Sequence, residues 1–211
     1  MVRWAIVAAV ALAALAAVSL GFALRGSKTP STQTQMPASD SAAARWGAGA
    51  KRAPEFRLRD EHGTPISLAS LRGRTVLLTF IDPLCRDFCP VEAQRLSAAI
   101  RESTGEKPTI VAVSVNTAGN RADILQLDER KWNVVPEWRW AVGDETALAR
   151  VWRAYHIEVI ATTKTVAGVH VRNVAHTEAS YLIDGKGYER ALFVWPYTAD
   201  AVSRELRAAA A

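Results

Sequence analysis

Cysteine is scarce in this sequence, because only Cys85 and Cys89 among its 211 residues carry a thiol. Neither lies near the N-terminal apolar segment, so we do not expect a lipid anchor attached to a cysteine there. Any redox or thiolate-ligand chemistry of the chain must therefore come from this one pair. Three residues separate the two cysteines, and Pro90 follows the second.

The sequence also lacks the basic stripe that is typical of proteins that bind nucleic acid. The formal net charge is +5, but residues 1–53 carry six Lys or Arg and one Asp, whereas residues 54–211 carry 20 basic and 20 acidic residues. The predicted folded part is therefore neutral, and it shows no basic cluster with interleaved aromatic residues. We predict that nucleic acid is not a partner.

Charged residues are absent from positions 4–24, WAIVAAVALAALAAVSLGFAL. A helix of this length would measure roughly 31 Å, which is enough to cross the hydrocarbon core of a bilayer. We predict that residues 1–24 form a single-pass transmembrane anchor or, alternatively, a cleaved signal segment. Both alternatives place the domain on the extracytoplasmic side of the cell membrane, in an oxidising compartment where thiols tend to pair.

The remaining sequence divides into a linker and one domain. Residues 25–53 are rich in Ser, Thr, Ala, Gly and Pro without apolar periodicity, which predicts a flexible linker. The domain is predicted over residues 54–211, where strand-like and helix-like patterns alternate. The predicted strands are a hairpin at 55–68, single strands at 75–82, 109–116 and 137–142, an inserted hairpin at 158–175, and paired strands at 179–184 and 189–195. The predicted helices are one that begins at Pro90 and three more at 121–132, 145–155 and 198–210. This order predicts an α/β, thioredoxin-like sandwich.

The cysteine pair lies where a predicted strand gives way to a predicted helix. Free N–H groups at a helix N-terminus favour negative charge, so we expect the thiolate at Cys89. Three interpretations remain open for Cys85 and Cys89: a structural disulfide, a dithiol redox couple, and a metal site. Two thiolates suit Cu(I), which accepts a low coordination number, and such a site would need a further ligand such as histidine.

Four histidines are available as that ligand. His62 and His170 lie in or beside predicted hairpin turns, and His156 follows a predicted helix. His176 differs, because it stands just before the strand at 179–184. In a thioredoxin-like fold, the loop that enters this strand faces the cysteine loop, so His176 is the best candidate.

These residues together resemble the Sco/SenC family of copper-binding assembly proteins. The resemblance rests on C-R-D-F-C-P after a strand, on a histidine before Y-L-I-D-G-K-G, and on the opening F-R-L-R-D-E-H-G-T-P-I-S-L, and it covers most of residues 55–210. It implies a membrane-tethered thioredoxin-like domain with copper ligands at Cys85, Cys89 and His176, and an acidic Asp87 between the cysteines. Arg86 stands where the family often has proline, and we expect its charge to favour thiolate further.

The resemblance implies a function and leaves a rival open. The first is a copper metallochaperone that carries one Cu(I), or Cu(II), ion to the dinuclear copper site of cytochrome c oxidase subunit II. The rival is an extracytoplasmic thiol–disulfide oxidoreductase that uses Cys85 and Cys89 to keep the acceptor's cysteines reduced. A third alternative is a tethered binding module whose disulfide is only structural.

Overall fold

The central element is a six-stranded mixed sheet, and the computed structural model describes residues 37–210 of the chain. The strands follow the order β1-β10-β9-β4-β5-β6, in which β4, β5 and β6 are parallel and the other pairings are antiparallel. Their bounds are Ala44–Arg45 (β1), Val76–Ile81 (β4), Thr109–Ser114 (β5), Trp138–Ala141 (β6), Ala179–Ile183 (β9) and Glu189–Val194 (β10).

Two hairpins and four helices complete the domain. The hairpins are β2–β3 (Arg57–Arg59 with Pro65–Ser67) and β7–β8 (Val159–Val166 with Val169–His176). The helices are α1 (Cys89–Glu102), α2 (Ala122–Trp132), α3 (Glu145–Ala154) and α4 (Ala199–Ala210). The predicted α/β sandwich, with an N-terminal hairpin and an inserted hairpin, is therefore confirmed.

The continuous apolar runs of β4 and β5 explain why these strands occupy the middle of the sheet. Every residue of both strands is buried. Because successive strand residues point to opposite faces, Leu77 and Ile81 of β4 join the core on the side that includes residues of α1 and α4, whereas Leu78 and Phe80 join the core on the side that includes residues of α3. Two apolar layers thus hold β4 rigidly, and β4 leads directly into the cysteine loop.

The predicted linker is wrong for its last part, because residues 37–53 pack along the domain. Strand β1 adds to the edge of the sheet, where Ala43 donates its N–H to the carbonyl of Leu192 at 2.8 Å, and Trp46 donates to Arg190 at 2.9 Å. Ala53, which is 2% exposed, donates to Gly187 at 3.0 Å. Backbone hydrogen bonds of this kind do not require a periodic pattern of apolar side chains, so the composition of the segment does not predict them.

The predicted membrane anchor at residues 1–24 lies outside the described residues. Within residues 37–210, no helix is both long enough and apolar enough to span a bilayer.

The pairing of residues 37–53 predicts a measurable contribution to stability. We expect that a chain starting at residue 54 has a free energy of unfolding lower by roughly 2 kcal/mol than one starting at residue 37, because several backbone hydrogen bonds of about 1 kcal/mol each are lost. Urea denaturation of both chains measures the difference. Arg45→Ala in the longer chain is the control, since it removes the ion pair of the exposed Arg45 with Glu205 but keeps the backbone pairing of β1. Equal stability of the two chains would contradict the packing.

Candidate metal centre

The two cysteines lie at the junction between β4 and α1. Asp82 follows the strand and organises the turn, because its carboxylate accepts the N–H of Leu84 at 2.7 Å and its carbonyl accepts the N–H of Cys85 at 3.0 Å. Helix α1 begins at Cys89, with Pro90 in its first turn. Proline suits this place because the first N–H groups of a helix have no carbonyl partner within it.

The two sulfurs differ in exposure and in acidity. Both are free thiols; Cys89 is 1% exposed and Cys85 is half-buried. A hydrogen bond between the side chains, in which Cys89 is the donor, is the main reason that the pKa of Cys85 falls to about 6. Burial of Cys85 opposes this shift, and the backbone N–H groups of Cys89 and Asp87 add to it. The same hydrogen bond and burial raise the pKa of Cys89 far above its usual range.

The expectation of a thiolate at Cys89 is therefore wrong, since the structure favours it at Cys85. Cys89 does occupy the helix N-terminus, but the neighbouring Cys85 and burial outweigh the favourable helix end. The charge of Arg86 also has a different partner from the one expected. Its Nη1 lies 3.5 Å from Oδ1 of the buried Asp128.

His176 is the last residue of β8 and lines the same cleft as both cysteines. The cleft has a volume of about 520 Å³ and is bounded by the cysteine loop on one side and by β8 on the other. Its lining residues are Asp82, Leu84, Cys85, Arg86, Asp87, Phe88, Cys89, Val171, Arg172, Asn173, Val174, Ala175, His176 and Glu178.

The hydrogen bond of His176 leaves one of its ring nitrogens available. Nδ1 lies 3.0 Å from the carbonyl oxygen of Thr177. Because a carbonyl can only accept, Nδ1 must carry the hydrogen, and the lone pair of the neutral ring is then on Nε2. A backbone carbonyl that fixes the tautomer in this way is typical of histidines that bind metals.

The three predicted ligands share a cleft without forming a ready-made metal site. Among residues 37–210, no three His, Cys, Asp or Glu side chains lie close enough together to hold an ion. The other histidines do not line this cleft. His62 lies beside Glu61 (Nε2–Oε1 3.6 Å), and His170 contacts Thr165 (3.1 Å from Nδ1 to Oγ1).

A buried carboxyl group beneath the cysteines was not found from the sequence. Glu92 is 2% exposed, and three hydroxyl groups surround its Oε1: those of Thr79 (2.9 Å), Ser180 (3.0 Å) and Tyr197 (2.9 Å). Burial raises the pKa of Glu92 in spite of these hydrogen bonds. Its place three residues after Cys89 on α1, on the same helix face, is the sequence signal that could have identified it.

A second acidic residue, Glu178, lines the cleft itself. Burial is the main reason that its pKa rises to about 8, and the charges of Glu92 and Cys85 add to the shift. The cleft therefore combines a thiolate-forming sulfur with an acidic group, Glu178, whose pKa burial raises. The raised pKa of Glu178 limits the negative charge that the cleft holds near pH 7.

Comparisons with known proteins agree with this architecture. Residues 47–211 match the family model described as SCO1/SenC. The mouse (Mus musculus) protein named "Protein SCO2 homolog, mitochondrial" is 27% identical over 135 residues, which cover 63% of this chain and 52% of the mouse protein. This chain thus spans little more than half the length of its mammalian relatives.

Solved structures show the same fold. Arabidopsis thaliana ScoI, crystallised with copper bound, superposes with a TM-score of 0.65 and 21% identity, over 74% of this chain and 98% of ScoI. BsSco superposes with a TM-score of 0.59 and 16% identity, over 80% of this chain and 97% of BsSco. It is described as having a disulfide switch and as a member of the Sco family of cytochrome c oxidase assembly proteins. The predicted Sco-like thioredoxin fold is confirmed, and this chain belongs to the SCO1/SenC family.

Proposed function

We propose that this protein is a copper metallochaperone that binds one copper ion through Cys85, Cys89 and His176 and helps to assemble the dinuclear copper site of cytochrome c oxidase subunit II. The observation that carries the proposal is that these three side chains line one cleft. Two relatives support it, because ScoI was crystallised with copper and BsSco is described as belonging to a family of oxidase assembly proteins.

The chemistry of the three side chains fits copper as cargo. Thiolates are soft ligands that select Cu(I), and imidazole also supports Cu(II). With a pKa of about 6, Cys85 is mostly thiolate at neutral pH and can meet the ion first. Cys89 then has to lose the proton that it donates to Cys85, so copper binding releases protons and weakens as the pH falls. Nε2 of His176 completes a three-coordinate set.

Loading requires a movement, because the ligands are not assembled in advance. Cys89 is buried in the first turn of α1, whereas His176 ends a hairpin whose β8 forms the opposite wall of the cleft. We expect the histidine side chain to turn towards the sulfurs when copper arrives. The reverse movement opens one coordination position, through which thiolates of an acceptor can replace the ligands one at a time.

The proposed location is the extracytoplasmic side of the cell membrane, with the predicted segment 1–24 as a single-pass anchor. An anchor would restrict donor and acceptor to the same thin layer. Their effective concentration would rise, and a short-lived complex would then be sufficient for transfer.

Copper affinity tests the chaperone proposal. In an anaerobic titration of the reduced chain 37–211 against a chromophoric Cu(I) chelator, we expect one ion per chain. His176→Ala should weaken binding about tenfold or more, and Cys89→Ser should weaken it further, because each removes one ligand.

His170→Ala provides the matched control, since this histidine lies on the same strand but does not line the cleft. The Cu(I) affinity of this variant should equal that of the unaltered chain. Cu(I) binding of unchanged strength in His176→Ala would contradict the proposed site.

A second candidate function is a thiol–disulfide oxidoreductase, and the unequal acidity of the two thiols favours it. The half-exposed Cys85 thiolate can attack an acceptor disulfide, forming a mixed disulfide and releasing one acceptor thiolate. Cys89 then loses its proton and attacks Cys85, which frees the second acceptor thiol. The acceptor is reduced, and the pair becomes a disulfide. This function needs no histidine.

The acidity of Cys85 can be measured directly. Because Cys89 is buried, the alkylation rate of the reduced chain by iodoacetamide reports on Cys85, and we expect it to rise with pH with a midpoint near 6. Removing the hydrogen-bond donor in Cys89→Ala should move the midpoint upward, towards the ordinary thiol value of about 8.5. A midpoint above 8 in the unaltered chain would show that the hydrogen bond does not stabilise the thiolate.

A further inference from the structure

The buried Asp128 on α2 has an unusual environment for a carboxylate. It is 2% exposed, and its Oδ2 has no hydrogen-bond partner within residues 37–210. Its Oδ1 lies 3.5 Å from Nη1 of Arg86. Burial raises the pKa of Asp128, and among the charges that oppose this shift Arg86 has the largest effect. Arg86 is therefore the main group that compensates the buried charge.

The same nitrogen of Arg86 also binds the cysteine loop. Nη1 donates to the carbonyl of Pro83 at 2.9 Å and to the carbonyl of Cys85 at 2.8 Å. One guanidinium group thus connects the backbone of the first cysteine to a helix that lies outside the loop. Because guanidinium is planar and always charged, it can serve several acceptors at once.

The two cysteines differ in their freedom to move. Cys89 is fixed, since it is 1% exposed and is the first residue of α1. Both cysteines are free thiols, whereas a disulfide needs the two sulfurs about 2.05 Å apart. Closing the disulfide therefore requires a shift on the Cys85 side, where Arg86 holds the backbone.

We propose that Arg86 is a positioning residue which, together with Asp128, holds Cys85 in the dithiol geometry and opposes closure of the Cys85–Cys89 disulfide. The step in question converts two protein thiols and oxidised glutathione into the protein disulfide and two molecules of glutathione. The inference rests on the proposed function only in that the dithiol is the form that takes up copper. It keeps this chain ready for copper in an oxidising compartment.

The dithiol–disulfide equilibrium of the chain 37–211 in glutathione redox buffers tests this proposal. We expect Arg86→Met to raise the equilibrium constant for disulfide formation by about fivefold to tenfold, and Asp128→Asn to raise it in the same direction. The double variant should change it no further than Arg86→Met alone, because the two residues act as one unit. Arg86→Lys, which keeps the charge, should recover part of the effect.

Arg121→Met is the matched control, because it removes an exposed ion pair with Asp123 at the start of the same helix. Its equilibrium constant should not change. General destabilisation is distinguished by thermal unfolding of both redox forms, since Arg86→Met should lower the melting temperature of the dithiol form more than that of the disulfide form. Equal lowering of both, or an unchanged equilibrium constant, would overturn the proposal.

The outcome does not depend on copper binding. A chain that binds no Cu(I) but shows the Arg86 effect would refute the metallochaperone and leave the positioning role intact. A chain that binds Cu(I) through all three ligands without the Arg86 effect would support the metallochaperone and refute the positioning role.

Discussion

The unequal burial of the two thiols is the constraint on which the site depends. Because Cys89 is buried and Cys85 is half-exposed with a lowered pKa, negative charge collects on the sulfur that a partner or a metal ion can reach. The rest of the fold maintains this difference. Buried strand β4 and helix α1 hold Cys89 in the core, where the neighbouring Cys85 and burial discourage a second negative charge.

One wall of the cleft belongs to the buried centre of the domain, and the other belongs to a hairpin that is partly exposed. The cysteines belong to the β4–α1 junction at the centre of the domain, where both faces of the sheet are covered by apolar residues. His176 ends a two-stranded hairpin that pairs with no other strand among the described residues, and several of its residues are exposed. A protein that must hold an ion and then release it benefits from this division, because one ligand can move while the other two stay in place.

The sequence was informative wherever side-chain chemistry follows a pattern. Apolar runs predicted the central strands, helical spacing predicted α1, and the order of elements predicted that His176 lies opposite the cysteine loop, with which it lines one cleft. The sequence was uninformative where burial or backbone pairing determines the local structure or the acidity of a side chain. Strand β1 is held by main-chain hydrogen bonds that any composition can make, so it was assigned to a linker. The thiolate was assigned to Cys89 because a helix N-terminus is visible in sequence, whereas the burial that reverses the assignment is not. The partner of Arg86 was missed because Asp128 lies 42 positions away in the chain.

The central claim is that copper is bound by two sulfurs and one imidazole of this cleft. X-ray absorption at the copper K-edge of the Cu(I)-loaded chain, compared with the His176→Ala variant, tests it most directly. We expect a first shell of two sulfur atoms and one nitrogen, with the nitrogen and the outer scattering of the imidazole ring lost in the variant. A shell without sulfur, or identical spectra for the two proteins, would contradict it.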